Sequence, residues 1–269
     1  PPLFGGYEYT PTQMNERKDK NLREKHNEAL KVMPVLFDEN GYDVTVCDPT
    51  YANYQWVPDL SIYDDYPDID AYITNGYFSD PELKAEQIKT NKRNFFCFSF
   101  MKAMPTFTQT VLYNNGQYNA QEKSDDELVY SGQEVLDISS SEGVNEKFMN
   151  PYNVLKALPD ITNITNDDKN TFLMISNDTT HEPMLLQEPE YEPSMHVDNK
   201  EYDAESTDRL TANGKTMHLE TEWQMTHYHV NMAALIQLGN WFDYMRENDV
   251  YDNTRIIIVA DHGWATYRV

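Results

Sequence analysis

Asn253-Thr254-Arg255-Ile256-Ile257-Ile258-Val259-Ala260-Asp261-His262-Gly263 is the stretch from which the architecture of this 269-residue chain is read. Ile256 to Val259 are four β-branched residues in a row with no polar alternation. Such a run predicts a strand buried on both faces, as at the centre of a parallel sheet. Ligands of open α/β sheets gather beyond the carboxyl ends of the strands. Asp261 and His262 would stand there, a hard oxygen donor beside an imidazole nitrogen. Gly263 lets the chain turn without a Cβ in the way. Two readings remain open: a divalent metal held at a strand end, or an Asp-His pair that caps the strand and starts a turn.

Working outward, Val230 to Arg246 predicts a helix, with Leu235, Leu238, Phe242 and Met245 at spacings of three and four and Trp241 broadening the stripe. Asn248-Asp249 and Asp252-Asn253 supply turn chemistry before the strand. Met14 to Phe37 also has helical spacing, through Leu22, His26, Ala29, Leu30 and Met33. Pro34 suits the first turn of a new helix better than a helix interior, and Asn40-Gly41 is a stop. Asp43 to Asp48 predicts a strand, and so does Thr171 to Ile175, which ends in the polar run that carries Thr180 and His181. Strand-like runs separated by helical or irregular segments predict an α/β domain with a mainly parallel central sheet.

The acidic, Tyr-rich stretch from Asp59 to Asp80 predicts solvated loop or short helices, and it lacks the spacing of an EF-hand. Arg93 to Met104, rich in Phe and Met, predicts a buried helix halted at Pro105. Ser124 to Gly143 is again acidic, with Ser139-Ser140-Ser141 a loop. His26, His196 and His218 are expected at the surface. His227 and His229, two apart on a helix, point to different sides and cannot easily share a metal.

A formal charge of −24 and a pI near 4.5 exclude a nucleic-acid partner, which needs clustered Lys and Arg. They also argue against simple electrostatic adhesion to an anionic membrane. Cys47 and Cys97 lack redox or zinc spacing and are expected to be buried thiols. No run of about twenty apolar residues is present to span a bilayer.

Tyr228-His229-Val230-Asn231-Met232-Ala233-Ala234-Leu235, then Tyr251-Asp252-Asn253-Thr254-Arg255-Ile256-Ile257-Ile258 and Ala260-Asp261-His262-Gly263, resembles the C-terminal metal-binding block of sulfatases. The likeness is greatest to the sulfatase-like branch of the alkaline phosphatase superfamily, with its lipoteichoic acid synthases and phosphoethanolamine transferases. A second block, the strand Thr171 to Ile175 followed by Thr180-His181-Glu182-Pro183, resembles the segment where that family places a substrate-binding histidine. A third, helix then Gly41-Tyr42 then strand, resembles the segment leading to an aromatic loop that touches the substrate headgroup. Here that loop is Thr50-Tyr51-Ala52-Asn53-Tyr54-Gln55-Trp56, without the family's neighbouring Arg.

The resemblance implies an alkaline-phosphatase-like three-layer sandwich, one sulfatase-like catalytic domain over residues 1–269, cut at both ends. It implies metal ligands at Asp261 and His262 and substrate contacts at His181, Thr180 and Trp56. The mixed oxygen and nitrogen donors suit Mn²⁺ or Zn²⁺ better than Mg²⁺, with Mn²⁺ first. The metal would activate a hydroxyl nucleophile and polarise a sulfate or phosphate ester. Leu3-Phe4-Gly5-Gly6 is similar to a segment C-terminal to the family's nucleophile, so that residue is expected before Pro1, and neither Thr10 nor Thr12 is assigned. No Cys-x-Pro-x-Arg signature surrounds either cysteine, which favours threonine-dependent transferases over true sulfatases. The implied substrate is an anionic ester on a glycan or lipid headgroup at the outer face of a cell membrane or in secretion, with anchoring through segments outside the chain. The alternative is a catalytically inactive, acidic cell-surface interaction domain on the same scaffold.

Overall fold

The computed structural model describes residues 2–113, 139–166, 168–206, 208–210 and 214–263. Its elements begin with α1 (Pro2–Gly5), α2 (Pro11–Glu16), α3 (Leu22–Glu39), β1 (Asp43–Cys47) and β2 (Ile69–Tyr72). Next come α4 (Pro81–Ala103), α5 (Thr106–Tyr113), β3 (Ser140–Glu142), α6 (Glu146–Ile161) and β4 (Thr171–Ile175). The chain continues through β5 (His196–Asp198), α7 (Lys200–Glu205), β6 (Asp208–Leu210), β7 (Thr216–His218) and α8 (Glu222–Glu247). The fold is α/β, and the described residues fall into two compact units.

The first unit holds the described residues of Pro1–Tyr77, Ile161–Asn177 and Asp252–Trp264. Its sheet has the order β2-β1-β4, and both pairings are parallel. The strands Asp43–Cys47 and Thr171–Ile175 read from sequence lie side by side, Val46 opposite Met174. Helix α3 covers this sheet, and Leu30, Val44, Val46, Ile62, Tyr63, Ile69 and Met174 form the core. Its start is set by a capping box: Asn21 accepts from the Glu24 amide and the Glu24 carboxylate accepts from the Asn21 amide. Its end is a Schellman turn, with Tyr42 N bonded to Phe37 O, Gly41 N bonded to Asp38 O, and Gly41 at φ +80°.

Three expectations are corrected in this unit. Helix α3 runs straight through Pro34. Proline cannot donate to the carbonyl four residues back, and the Tyr63 hydroxyl donates to that carbonyl, Leu30 O, at 3.3 Å. The acidic stretch contains a strand, β2, where Ile69 and Ala71 turn to the core although aspartates surround them. Thr254 to Ala260, by contrast, lies outside any strand and leaves Ile257 76%, Ile258 59% and Val259 59% exposed. β-Branched residues favour a strand only where a neighbour supplies ladder bonds and a face to pack on, and the described residues give this run neither.

The second unit holds the described residues of Phe78–Asp160 and Asp178–Tyr251. Phe148, Met149 and Tyr152 of α6 meet Val230 and Ala233 of α8, with Met184, Leu186 and Tyr191 between them. A second cluster joins Leu185, Val197, Leu219 and Met225. The small antiparallel pairs β3-β5 and β6-β7 also lie here, so Ser140 and Ser141, read as loop, are in a strand. Helix α4 is longer than the sequence suggested, begins at an Asp80 cap, and contains no buried residue. The Phe-rich run at Arg93 to Met104 is therefore not a core helix. Most of Ser124 to Gly143 lies outside the described residues.

Candidate functional site

The carboxyl edge of the parallel sheet is organised around Asp48. This residue follows β1 in the left-handed region at φ 53°. Its buried carboxylate accepts from Thr74 N at 2.9 Å, from Asn75 N at 3.2 Å and from the Thr74 hydroxyl. The loops after β1 and β2 are thereby tied together. On the other side of β1, Ser176 N bonds Cys47 O at 3.1 Å, and the buried Ser176 Oγ has no hydrogen-bond partner among the described residues.

The loop beyond Asp48 carries the aromatic residues. Tyr51, Asn53 and Tyr54 all have positive φ, between 55° and 57°, a conformation that costs an ordinary L-residue about 1–2 kcal/mol. Side chains of α3 hold it there. Asn27 Nδ2 donates to Asn53 Oδ1 at 2.6 Å, and Asn53 N donates to Asn27 Oδ1 at 2.9 Å. Asn53 Nδ2 also reaches Asp59 at 2.9 Å. His26 is buried, not at the surface as read from sequence, because its ring spans the gap between α3 and this loop. A carbonyl can only accept, so His26 Nε2 carries the proton it donates to Thr50 O at 2.9 Å. Burial holds this imidazole below its ordinary value. Trp56, at the loop's end, is 74% exposed and sits edge-on to Tyr51 at 5.9 Å. The Cys47 thiol is pushed up to about 11 by burial and then by Asp48, and Cys47 and Cys97 are both free.

Asp261 and His262 also belong to the first unit, and both are exposed. Asp261 Oδ1 accepts from His262 N at 2.9 Å, and His262 Nδ1 lies 3.2 Å from Gly263 O. A carbonyl can only accept, so in this contact Nδ1 is the donor, and Nε2 lies 3.8 Å from Asp261 Oδ2. Among the described residues no group of three or more His, Cys, Asp or Glu is poised to hold a metal. The pair accounts for two donors.

His181 and Thr180 belong to the second unit. The chain turns at Asp178, where His181 N bonds Asp178 O at 2.9 Å. The His181 ring is half exposed, with Nδ1 3.3 Å from the buried Glu182 carboxylate, and Thr180 is exposed. The structure thus joins Asp261 to His262 and His181 to Glu182 as local pairs.

A buried ionic cluster in the second unit had no signal in the sequence. Arg209 places Nε 2.6 Å and Nη2 2.7 Å from the two Glu188 oxygens, and Nη2 2.5 Å from Asp203. His229, fully buried, accepts from Leu186 N at 3.0 Å through Nδ1 and sets Nε2 3.5 Å from Glu188. Burial opposes the Glu188 charge, but the contacts from His229 and Arg209 outweigh it and hold the carboxyl at about 2. These partners are up to 43 positions apart in the chain, so no local spacing reveals them.

Comparison with protein-family models, with curated proteins and with solved structures finds no match for this chain.

Proposed function

We propose that this chain is part of a metal-dependent, sulfatase-like enzyme acting on sulfate or phosphate esters at the cell surface or in secretion. Its reaction is hydrolysis or a phosphoglycerol- or phosphoethanolamine-type transfer, on an alkaline-phosphatase-like three-layer sandwich. The observation that carries this reading is the Asp261-His262 pair, in which an imidazole nitrogen and a carboxylate oxygen stand 3.8 Å apart. The order helix, Gly41-Tyr42, β1, with β4 parallel beside it, supports the reading too. So does the loop ending at Trp56, tied to α3 through Asn27 and Asn53 at the carboxyl edge where α/β sheets bind ligands.

The residues fit a borderline divalent ion in donor type, Mn²⁺ before Zn²⁺ or Mg²⁺. Asp261 and His262 would hold it, and when bound it would polarise an ester oxygen and lower the pKa of a hydroxyl nucleophile. Trp56 offers a ring face against the ester's organic portion. His181 and Thr180 can donate hydrogen bonds to ester oxygens as negative charge grows on them. The test is calorimetric titration with Mn²⁺ and Zn²⁺ of the parent, Asp261→Ala and His262→Ala. Each substitution is expected to weaken binding by more than about tenfold, the scale of loss that even a supporting residue of a metal site produces. Affinity unchanged in both variants would remove the metal from this site.

A further inference from the structure

The charge of the chain is unevenly spread, and helix α4 is where it reverses. Pro81–Ala103 carries Lys84, Lys89, Lys92, Arg93 and Lys102 against Glu82 and Glu86 alone, in a chain of net −24. Among the described residues none of these five cations forms a salt bridge to a carboxylate. Leu83, Gln87, Thr90, Asn94, Cys97 and Met101 recur at spacings of three and four and are its half-buried stripe. The opposite side faces solvent. There Phe95 is 75% and Phe96 71% exposed, with Ile88, Phe100 and, across the Pro105 turn at the start of α5, Phe107 exposed as well. Phe96 and Phe100 stack in parallel at 6.1 Å.

Basic and aromatic residues are separated along the axis rather than around it. Lys84 to Arg93 come first, and Phe95, Phe96, Phe100 and Phe107 follow over the elbow at Pro105, with the exposed Lys102 between the last two in sequence. At 1.5 Å per residue, Arg93 and Phe100 stand roughly 10 Å apart along the helix, about the depth to which an interfacial helix buries its apolar side beneath the headgroups. Long basic side chains can reach back to the phosphates while the rings go deeper. No described helix is long and apolar enough to cross a membrane. The acidic bulk does not forbid contact with an anionic surface, since at physiological ionic strength charges more than about 8 Å away are largely screened.

We propose that the α4–α5 elbow is a docking surface for an anionic lipid bilayer, entering obliquely with Phe95, Phe96, Phe100 and Phe107 while Lys89, Lys92 and Arg93 engage the headgroups. This is independent of the catalytic reading. The test is co-sedimentation of the full chain with phosphatidylcholine vesicles, with and without phosphatidylglycerol. The parent is expected to partition onto the anionic vesicles and to be released by salt. The pair Phe95→Ser/Phe96→Ser is expected to lower the partition coefficient by about tenfold or more. The triple Lys89→Gln/Lys92→Gln/Arg93→Gln lowers it about a hundredfold. Leu235→Ser, also exposed but on α8, leaves it unchanged. All substituted side chains are solvent-facing, so far-UV circular dichroism should match the parent. Equal binding to neutral vesicles, or binding indifferent to both the Phe pair and the cation triple, overturns the proposal. So does self-association in analytical ultracentrifugation that the Phe pair abolishes, which would assign the face to a second copy of the chain.

Discussion

At the scale of single residues, the informative contacts are those in which one side chain repairs what another removes. Pro34 leaves Leu30 O without its helical donor, and the Tyr63 hydroxyl fills the vacancy from a segment thirty-three positions away. Tyr63→Phe is therefore expected to destabilise the first unit by about 1–2 kcal/mol, the cost of a buried carbonyl left unpaired. Pro34→Ala restores an amide opposite that carbonyl, so the loss in the double variant should be smaller than the two separate effects together would give. A thermodynamic cycle measured by denaturant unfolding checks the coupling, and strict additivity would show that the hydroxyl contact is incidental.

The Glu188 cluster obeys the same logic with charges. Glu188→Ala leaves Arg209 with Asp203 as its one carboxylate partner among the described residues, beside the Ser206 and Asp208 carbonyls, and a loss of about 3–5 kcal/mol is expected. The sign with pH comes from the carboxyl at about 2 in the fold against 4.5 in the open chain. A lowered value stabilises the fold above 4.5, and that contribution fades as pH falls toward about 2. The stability gap between the parent and Glu188→Gln should accordingly be constant above pH 5 or so and narrow in acid. A gap independent of pH across that range would mean that the carboxylate is not specifically stabilised by its partners.

At the scale of elements, two helices end in the same motif with different residues at the critical position. Helix α3 closes with Gly41 at φ +80°, where an added Cβ would meet nothing within 4 Å. Helix α8 closes with Val250 N on Met245 O and Asp249 N on Arg246 O, but its left-handed residue is Asp249 at φ 58°. Both are Schellman turns. Gly41→Ala is expected to cost about 1–2 kcal/mol through backbone strain alone. Asp249→Gly is expected to gain up to about 1 kcal/mol by relieving it. Opposite shifts of the thermal midpoint would bear this out, and a loss at Asp249→Gly would show that its carboxylate contributes more than its φ costs. The loop from Asp48 to Trp56 is the counter-case, since four left-handed non-glycine residues persist in it because Asn27, His26 and Asp59 hold them.

At the scale of the whole molecule, a net charge of −24 makes self-repulsion a general load on the folded state. Added sodium chloride screens those repulsions over the range where the Debye length falls from about 30 Å to about 8 Å. The thermal midpoint is expected to rise across that range. A flat or falling midpoint would indicate that local ion pairs, such as those of Glu188 and Arg17, outweigh the repulsion.

Local pattern by itself determined a good deal: the stop of α3, strands β1 and β4, the helix over Val230 to Arg246 and the α/β class. Each depends on neighbours a few positions apart, where periodicity and turn chemistry act directly. Tertiary structure decided the rest. It made Ile69–Tyr72 a strand despite its aspartates, because Val44 lies beside Ile69 and completes the ladder. It left Thr254 to Ala260 outside any strand, because β-branched residues cannot pair with a strand that is not beside them. It turned Phe95, Phe96 and Phe100 of α4 outward and buried His26, since a helix's apolar content does not say which face meets a neighbour. Pairing and burial are relations between distant segments, and only the folded chain brings those segments together.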